Sequence, residues 1–209
     1  MTLVKKINLK NLTNFLNDNS YLNIVERAKP HNSDIFFEEL LTEHLTINRI
    51  INKKSILSDI KGLLNEFIPK KIKKNNFYNI WVKDMAEISK IFCNTTKEDY
   101  FNFTLETSRT CRRFHIDNVP IRLLVTYYGR GTEWLPSHAS DYSAYYNGEK
   151  NEKIIIDQTE RKFISPWNIA VFKGQKFKDG ENGILHRTPY EALNKISLLM
   201  RLDNNEILQ

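Results

Sequence analysis

Apolar residues in the first half of the chain recur at helical spacing. From Ser33 to Ile51 they fall at Ile35, Phe36, Leu40, Leu41, Leu45, Ile47, Ile50 and Ile51, close to one stripe, with Ser33 or Asp34 as N-cap. Ser55 to Phe67 repeats the pattern through Ile56, Leu57, Ile60, Leu63, Leu64 and Phe67, and stops before Pro69. Phe77 to Phe92 reads as a third long helix, and Asn11 to Leu16 as a short one. From about Tyr100 the period shortens to two. Phe101, Phe103 and Leu105 alternate with polar residues. Ile121 to Tyr128 is β-branched and aromatic and ends at Gly129-Arg130-Gly131. Lys153–Asp157, Asn168–Lys173 and Lys195–Leu202 complete the expected strands. Short strands separated by turn signals point to a jelly-roll sandwich or barrel. The expected fold is therefore α+β: a helical region over residues 1–97 packed on a β-rich core over 98–209. No Gly/Ser linker separates the two, so they should pack as one unit.

Composition narrows the class only a little. At 209 residues the chain can bury a core of useful size. No stretch approaches the roughly 18 apolar residues of a membrane span. The start, MTLVKKINLKNL, lacks the apolar run and small-residue cleavage site of a signal peptide and reads as structure. Two cysteines, Cys93 and Cys111, form no CxxC pair and are too few for a disulfide scaffold, so reduced thiols in a cytoplasmic protein are expected. Part of the net charge of +6 sits in the run PKKIKK, Pro69 to Lys74. Such a run can touch nucleic acid or an acidic partner, but it reads better as a solvated linker.

The candidate chemistry lies in the second half. His115-Ile116-Asp117 is an HxD pair, and on an extended strand residues i and i+2 share a face. A second histidine from a distant strand, His186, would complete three ligands on one side of an ion and leave the other side open. His31 and His44 lie in the helical half with no partner at ligand spacing and read as structural. His138 sits in a loop near the expected mouth of the barrel, suited to a surface or substrate-facing role. A zinc site of Cys111, His115 and His186 is disfavoured, because four residues of strand place Cys111 and His115 ~13 Å apart.

The segment from Arg112 to Asp203 resembles the double-stranded β-helix of the iron(II)- and 2-oxoglutarate-dependent dioxygenases. CRRFHIDNVPIRLLVTYYG resembles the strand carrying HxD and the strand after it. GTEWLP resembles the next strand. ISPWNIAVFKG resembles the Pro-x-Gly-x-x-hydrophobic-Phe strand, with Asn168 where Gly is usual. LHRTPY resembles the segment holding the distal histidine. KISLLMRLD resembles the last strand. The pieces stand in the family's order and cover under half of the chain. The wording FHxDxxPxRLLxTYxGxGTEWLP also resembles a bacterial family of uncharacterised single-domain proteins, which bears on the fold more than on the reaction.

The resemblance implies iron(II) held by His115, Asp117 and His186, with 2-oxoglutarate and dioxygen as co-substrates. It implies a cation for the distal carboxylate of 2-oxoglutarate, since a buried carboxylate needs a partner. Lys195, nine residues after His186, is the first choice, with Ser197 two residues on; Arg201 and Arg122 are the alternatives. Tyr127 or Tyr128 could hydrogen-bond the co-substrate. Glu133, Trp134 and the Tyr-rich loop that follows, with His138, would face a small-molecule or peptide substrate. Nucleic acid is the less favoured substrate. Two other functions stay open: a non-catalytic metal-binding protein on the same barrel, in zinc or metal homeostasis, and a cupin-like iron dioxygenase that does not use 2-oxoglutarate.

Overall fold

The computed structural model describes residues 4–6, 12–41, 44–177, 183–193 and 195–204. Its scaffold is a seven-stranded sheet made of β1 (Val4–Lys6), β2 (Leu22–Val25), β3 (Thr46–Asn52), β4 (Tyr100–Glu106), β5 (Ile121–Tyr128), β8 (Ile169–Lys173) and β10 (Leu198–Asn204). Across the sheet the strands run β1-β2-β8-β5-β10-β4-β3. All pairings are antiparallel except β1 with β2. A second, three-stranded sheet is built from β6 (Glu133–Trp134), β7 (Lys162–Phe163) and β9 (His186–Arg187), with β6 in the middle.

The alternation along the large sheet explains its two packed faces. Leu123, Val125 and Tyr127 of β5, Ile169 and Val171 of β8, Met200 and Leu202 of β10, and Phe101, Phe103 and Leu105 of β4 all enter one large core. Helices cover that face. The short α1 (Leu12–Phe15) adds Leu12 and Phe15 to the core. The longer α2 (Ser33–Leu40), α3 (Ile56–Phe67) and α5 (Asn76–Thr96) contribute Phe36, Phe37, Ile60, Leu64, Trp81 and Met85. The opposite face offers Leu22, Ile24, Leu124, Ala170, Phe172 and Leu199, which pack with Trp134, Ile164 and Ile184 from the small sheet and its flanks. The molecule is thus helices, large sheet, small sheet, in that order. Among the described residues the two sheets do not join into a closed barrel. No helix among them is long and apolar enough to cross a membrane.

Several expectations change. The stripe from Ser33 to Ile51 is not one helix. The chain leaves α2 after Leu40 and returns as β3, where Ile47 and Ile51 bury on the helix side and Ile50 is exposed. Spacing of four residues fits both periods, and pairing with β4 decides for strand. Thr42 and Glu43, within that stretch, and Asn11 lie outside the described residues. The apolar run Lys153–Asp157 is not a strand: α7 (Asn151–Ile154) ends there, and only Ile155 makes a bridge, to Ser140. Lys195 and Ser197 precede β10 and are not part of it. The boundary near residue 97 does not separate helices from strands, because β1, β2 and β3 come from before it. The basic run forms α4 (Lys70–Lys73), with Ile72 buried, Lys73 half-buried and Lys70, Lys71 and Lys74 exposed.

Candidate metal centre

His186 lies in β9 and is paired through its backbone with His115, N to O at 3.0 Å in both directions. That bridge fixes the two rings side by side, 4.6 Å between centroids. His115 therefore reaches the site as an isolated bridge residue and not as part of a long strand. Asp117 follows in the turn before β5. Its carbonyl accepts from the Gln175 amide at 2.8 Å, and the chain passes so close that a Cβ on Gly174 would lie 2.5 Å from that same oxygen. Only glycine allows this approach, which ties Asp117 to the end of β8.

Ligand atoms of His115, Asp117 and His186 all lie within 4.8 Å of one another, so the three can hold one metal ion. The proton positions fit a cation. His115 Nδ1 sits 3.0 Å from the Arg113 carbonyl and His186 Nδ1 3.0 Å from the Ile184 carbonyl. A carbonyl only accepts, so each Nδ1 carries a hydrogen and each ring turns its Nε2 inward, toward Asp117. Asp117 Oδ2 is 3.1 Å from His186 Nε2, is buried, and has no aligned hydrogen bond. Two ring nitrogens and a carboxylate oxygen therefore converge on one point, where a single cation could bind all three. This donor set, two imidazoles and one carboxylate on one side, suits a divalent transition metal with open positions. Burial alone would raise the Asp117 carboxyl; His186, His115 and Arg122 outweigh it and hold it well below the usual carboxylate range.

Beside the ligands is a cavity of about 120 Å³ bordered by His115, His186, Leu124, Leu199, Thr132 and Glu106 and by four arginines: Arg109, Arg122, Arg187 and Arg201. Three of the four are matched by carboxylates. Arg122 grips Asp203 through Nε (2.6 Å) and Nη2 (2.8 Å) and donates Nη1 to Asp117. Arg187 holds Glu133 at 2.8 and 3.1 Å. Arg201 lies 3.4 Å from Asp203 and 3.9 Å from Glu106. Arg109 differs. It is buried, donates only to the Arg130 carbonyl (2.7 Å) and Thr132 Oγ1 (2.9 Å), and makes no ion pair among the described residues. Its Nε has no hydrogen-bond partner among the described residues, and burial lowers its pKa to about 10.

A family model described as "Protein of unknown function (DUF1826)" matches residues 7–203. The chain belongs to this family. No curated protein matches it. Solved structures that match include the full-length thymine-7-hydroxylase of Neurospora crassa in complex with alpha-KG, at 12% identity over 94% of this chain and 78% of that one, with a TM-score of 0.41. The C-terminally truncated form of the same hydroxylase, without ligand, matches at 12% identity over 94% of this chain and 88% of that one, with a TM-score of 0.39. These likenesses are distant, and the side chains at the site carry the functional reading.

Of the other residues expected at the site of this DUF1826 chain, Arg122 and Arg201 border the cavity and the rest are dispersed. Lys195 and Ser197 line a separate groove with Lys29, Glu38 and Arg130, away from the metal ligands. Tyr127 faces the helices, fully buried, and its hydroxyl donates to Asp84 at 2.8 Å. Glu133 is 1% exposed and committed to Arg187; Trp134 is buried between the sheets. His138 is exposed, 3.4 Å from Glu160. None of these six borders the metal cavity. Cys111 borders it but is not among the residues whose ligand atoms converge. The Tyr-rich loop folds into α6 (Tyr142–Tyr146) and packs on the HxD segment, where Tyr145 Oη accepts from the Ile116 amide. Sequence reasoning missed Arg109, which sits in an ordinary basic stretch, and Asp203, although alternation along β10 sets it on the same face as Arg201.

Proposed function

We propose that this protein is a non-haem iron(II)- and 2-oxoglutarate-dependent dioxygenase, built on a double-stranded β-helix whose two sheets face each other with open seams. The observation that carries the reading is the buried, carboxylate-free Arg109 in the same cavity as His115 and His186, beside Asp117. Charge balance supports a dianion there. Arg122, Arg187 and Arg201 have carboxylate partners, Arg109 makes no ion pair among the described residues although Glu106 borders the same cavity, and a divalent ion held by Asp117 keeps one positive charge. The cavity would then be two charges positive before a ligand enters. A diacid with its keto-acid end toward the metal ligands and its far carboxylate on Arg109 and Thr132 satisfies both, because a buried guanidinium without an anion is costly.

Bound iron would supply the oxidation of substrate by dioxygen, with 2-oxoglutarate converted to succinate and carbon dioxide. The chain's part is to hold the ion on three side chains, neutralise the diacid, and exclude water from one side. Leu124 and Leu199 give the cavity apolar walls. The exposed segment Ser108, Thr110 and Cys111 borders its opening, where a small molecule or a peptide side chain would enter.

Incubation with iron(II), ascorbate and 2-oxoglutarate should yield succinate, even without the prime substrate, at a slow uncoupled rate. Arg109→Met should abolish 2-oxoglutarate binding to the metal-loaded protein, while Lys195→Ala should leave it unchanged. Tight zinc binding that 2-oxoglutarate does not alter would support a non-catalytic metal protein instead. Iron-dependent oxidation without succinate would support the cupin-like alternative.

A further inference from the structure

Asp117 does not owe its orientation to a strand of its own. It sits in a turn, and Arg122 contacts its Oδ1. Arg122 is in turn gripped by Asp203 through two hydrogen bonds, and the two residues are direct neighbours across β5 and β10. The Asn204 side chain accepts from the Ile121 amide at 2.8 Å, which locks the strands together at this level. The side chains are 1% (Asp117), 16% (Arg122) and 9% (Asp203) exposed, so water competes little with these contacts.

We infer that Arg122 and Asp203 form a positioning pair that presents Asp117 to the metal as a one-oxygen ligand. Arg122 occupies Oδ1, and Oδ2 faces His186 at 3.1 Å with no aligned hydrogen bond among the described residues. A lone guanidinium here would compete with a divalent ion for the carboxylate and repel it. Asp203 cancels that charge and draws the guanidinium to itself through a two-pronged contact, which lysine cannot reproduce. The pair therefore fixes the geometry of the ligand without adding net positive charge. Outer partners of metal ligands act in this way and change affinity when removed. The inference rests on the metal reading of the site and is independent of the co-substrate.

The test is titration of the full-length chain with cobalt(II), read by calorimetry and by visible absorption. Arg122→Gln and Asp203→Asn should each weaken binding tenfold or more, and Arg122→Lys should fall between Arg122→Gln and the parent. The double variant should bind no worse than Arg122→Gln alone, since Asp203 acts through Arg122. The absorption of bound cobalt should change in Arg122→Gln, where both oxygens of Asp117 are free. Melting curves of the metal-free variants separate a misfolded chain from a weakened site, and the near-isosteric Asp203→Asn keeps the test available if Arg122→Gln unfolds. Binding within twofold of the parent in Asp203→Asn, or a double-variant loss equal to the product of the two single losses, would overturn the pair. A parent chain that binds no cobalt would overturn the metal reading itself.

Discussion

Replacing Arg187 by Met tests how the small sheet holds the distal histidine. Arg187 and Glu133 pair at 2.8 and 3.1 Å, and each side chain is 1% exposed. The guanidinium also lies between the rings of Phe114 and Tyr190, at 4.5 and 4.2 Å from their centroids. Removing one partner of a buried ion pair strands the other and destabilises by ~3–5 kcal/mol. Arg161, 3.4 Å from Glu133, stays behind as a partial partner and points to the lower end of that range. For a chain of this size ~3 kcal/mol is a fall in melting temperature of about 6–12 °C. Methionine keeps the apolar stem but gives up the guanidinium's contacts with the two rings, so the share due to the stranded carboxylate is read from a second substitution. Adding Glu133→Gln removes that carboxylate and should restore at least ~1 kcal/mol relative to Arg187→Met. Thermal and urea melts followed by circular dichroism measure both. A melting point for Arg187→Met within about 2 °C of the parent, or a double variant no more stable than Arg187→Met, would refute the reasoning.

Four further outcomes follow from the same structure. Burial lifts the Cys93 thiol to about 11, so the folded state keeps its proton where the unfolded chain loses it. Its contribution to stability should therefore be full below roughly pH 8 and fall by roughly 2–3 kcal/mol as pH rises through 9 to 11, a slope that Cys93→Ala should lack in urea melts. The native chain should react with a thiol reagent at Cys111, which is exposed, and at Cys93 only after unfolding; equal rates would contradict the burial. Tyr127→Phe removes the hydrogen bond to Asp84, whose carboxylate keeps Arg27 at 2.6 Å, and should cost about 1–2 kcal/mol in urea melts without changing metal affinity. Gly174→Ala should weaken metal binding at least tenfold, because the added methyl forces the Asp117 turn aside; unchanged calorimetric affinity would remove that link.

The strands legible in the sequence were those with a regular apolar face. Ile121–Tyr128 sends residues to both packed layers, and Phe101, Phe103 and Leu105 all enter the helix-side core between polar Asn102 and Thr104. Ile47 to Ile51 misled because edge strand β3 buries only Ile47 and Ile51, four apart, while Arg49 and Ile50 are exposed. The convergence of His115, Asp117 and His186 was readable because HxD and a distant His are local chemical signals. Of the cations expected beside them, Arg122 and Arg201 border the cavity and Lys195 does not. Lys195 stands at a plausible distance along the chain, yet it precedes β10 and turns into another groove. Arg109 follows β4, which pairs with β10 and so sets it near Thr132 and the ligands. Whether a guanidinium has a carboxylate partner is a property of pairing across sheets, and no spacing in the sequence encodes it.

The central claim is that His115, Asp117 and His186 hold one divalent ion in this fold. Anaerobic titration of the chain with iron(II), followed by calorimetry, tests it most directly when the parent is compared with His115→Ala, Asp117→Ala and His186→Ala. One ion per chain in the parent, and loss of that binding in all three variants with their folding intact, is the expected result. Retained iron binding in folded His186→Ala would contradict it.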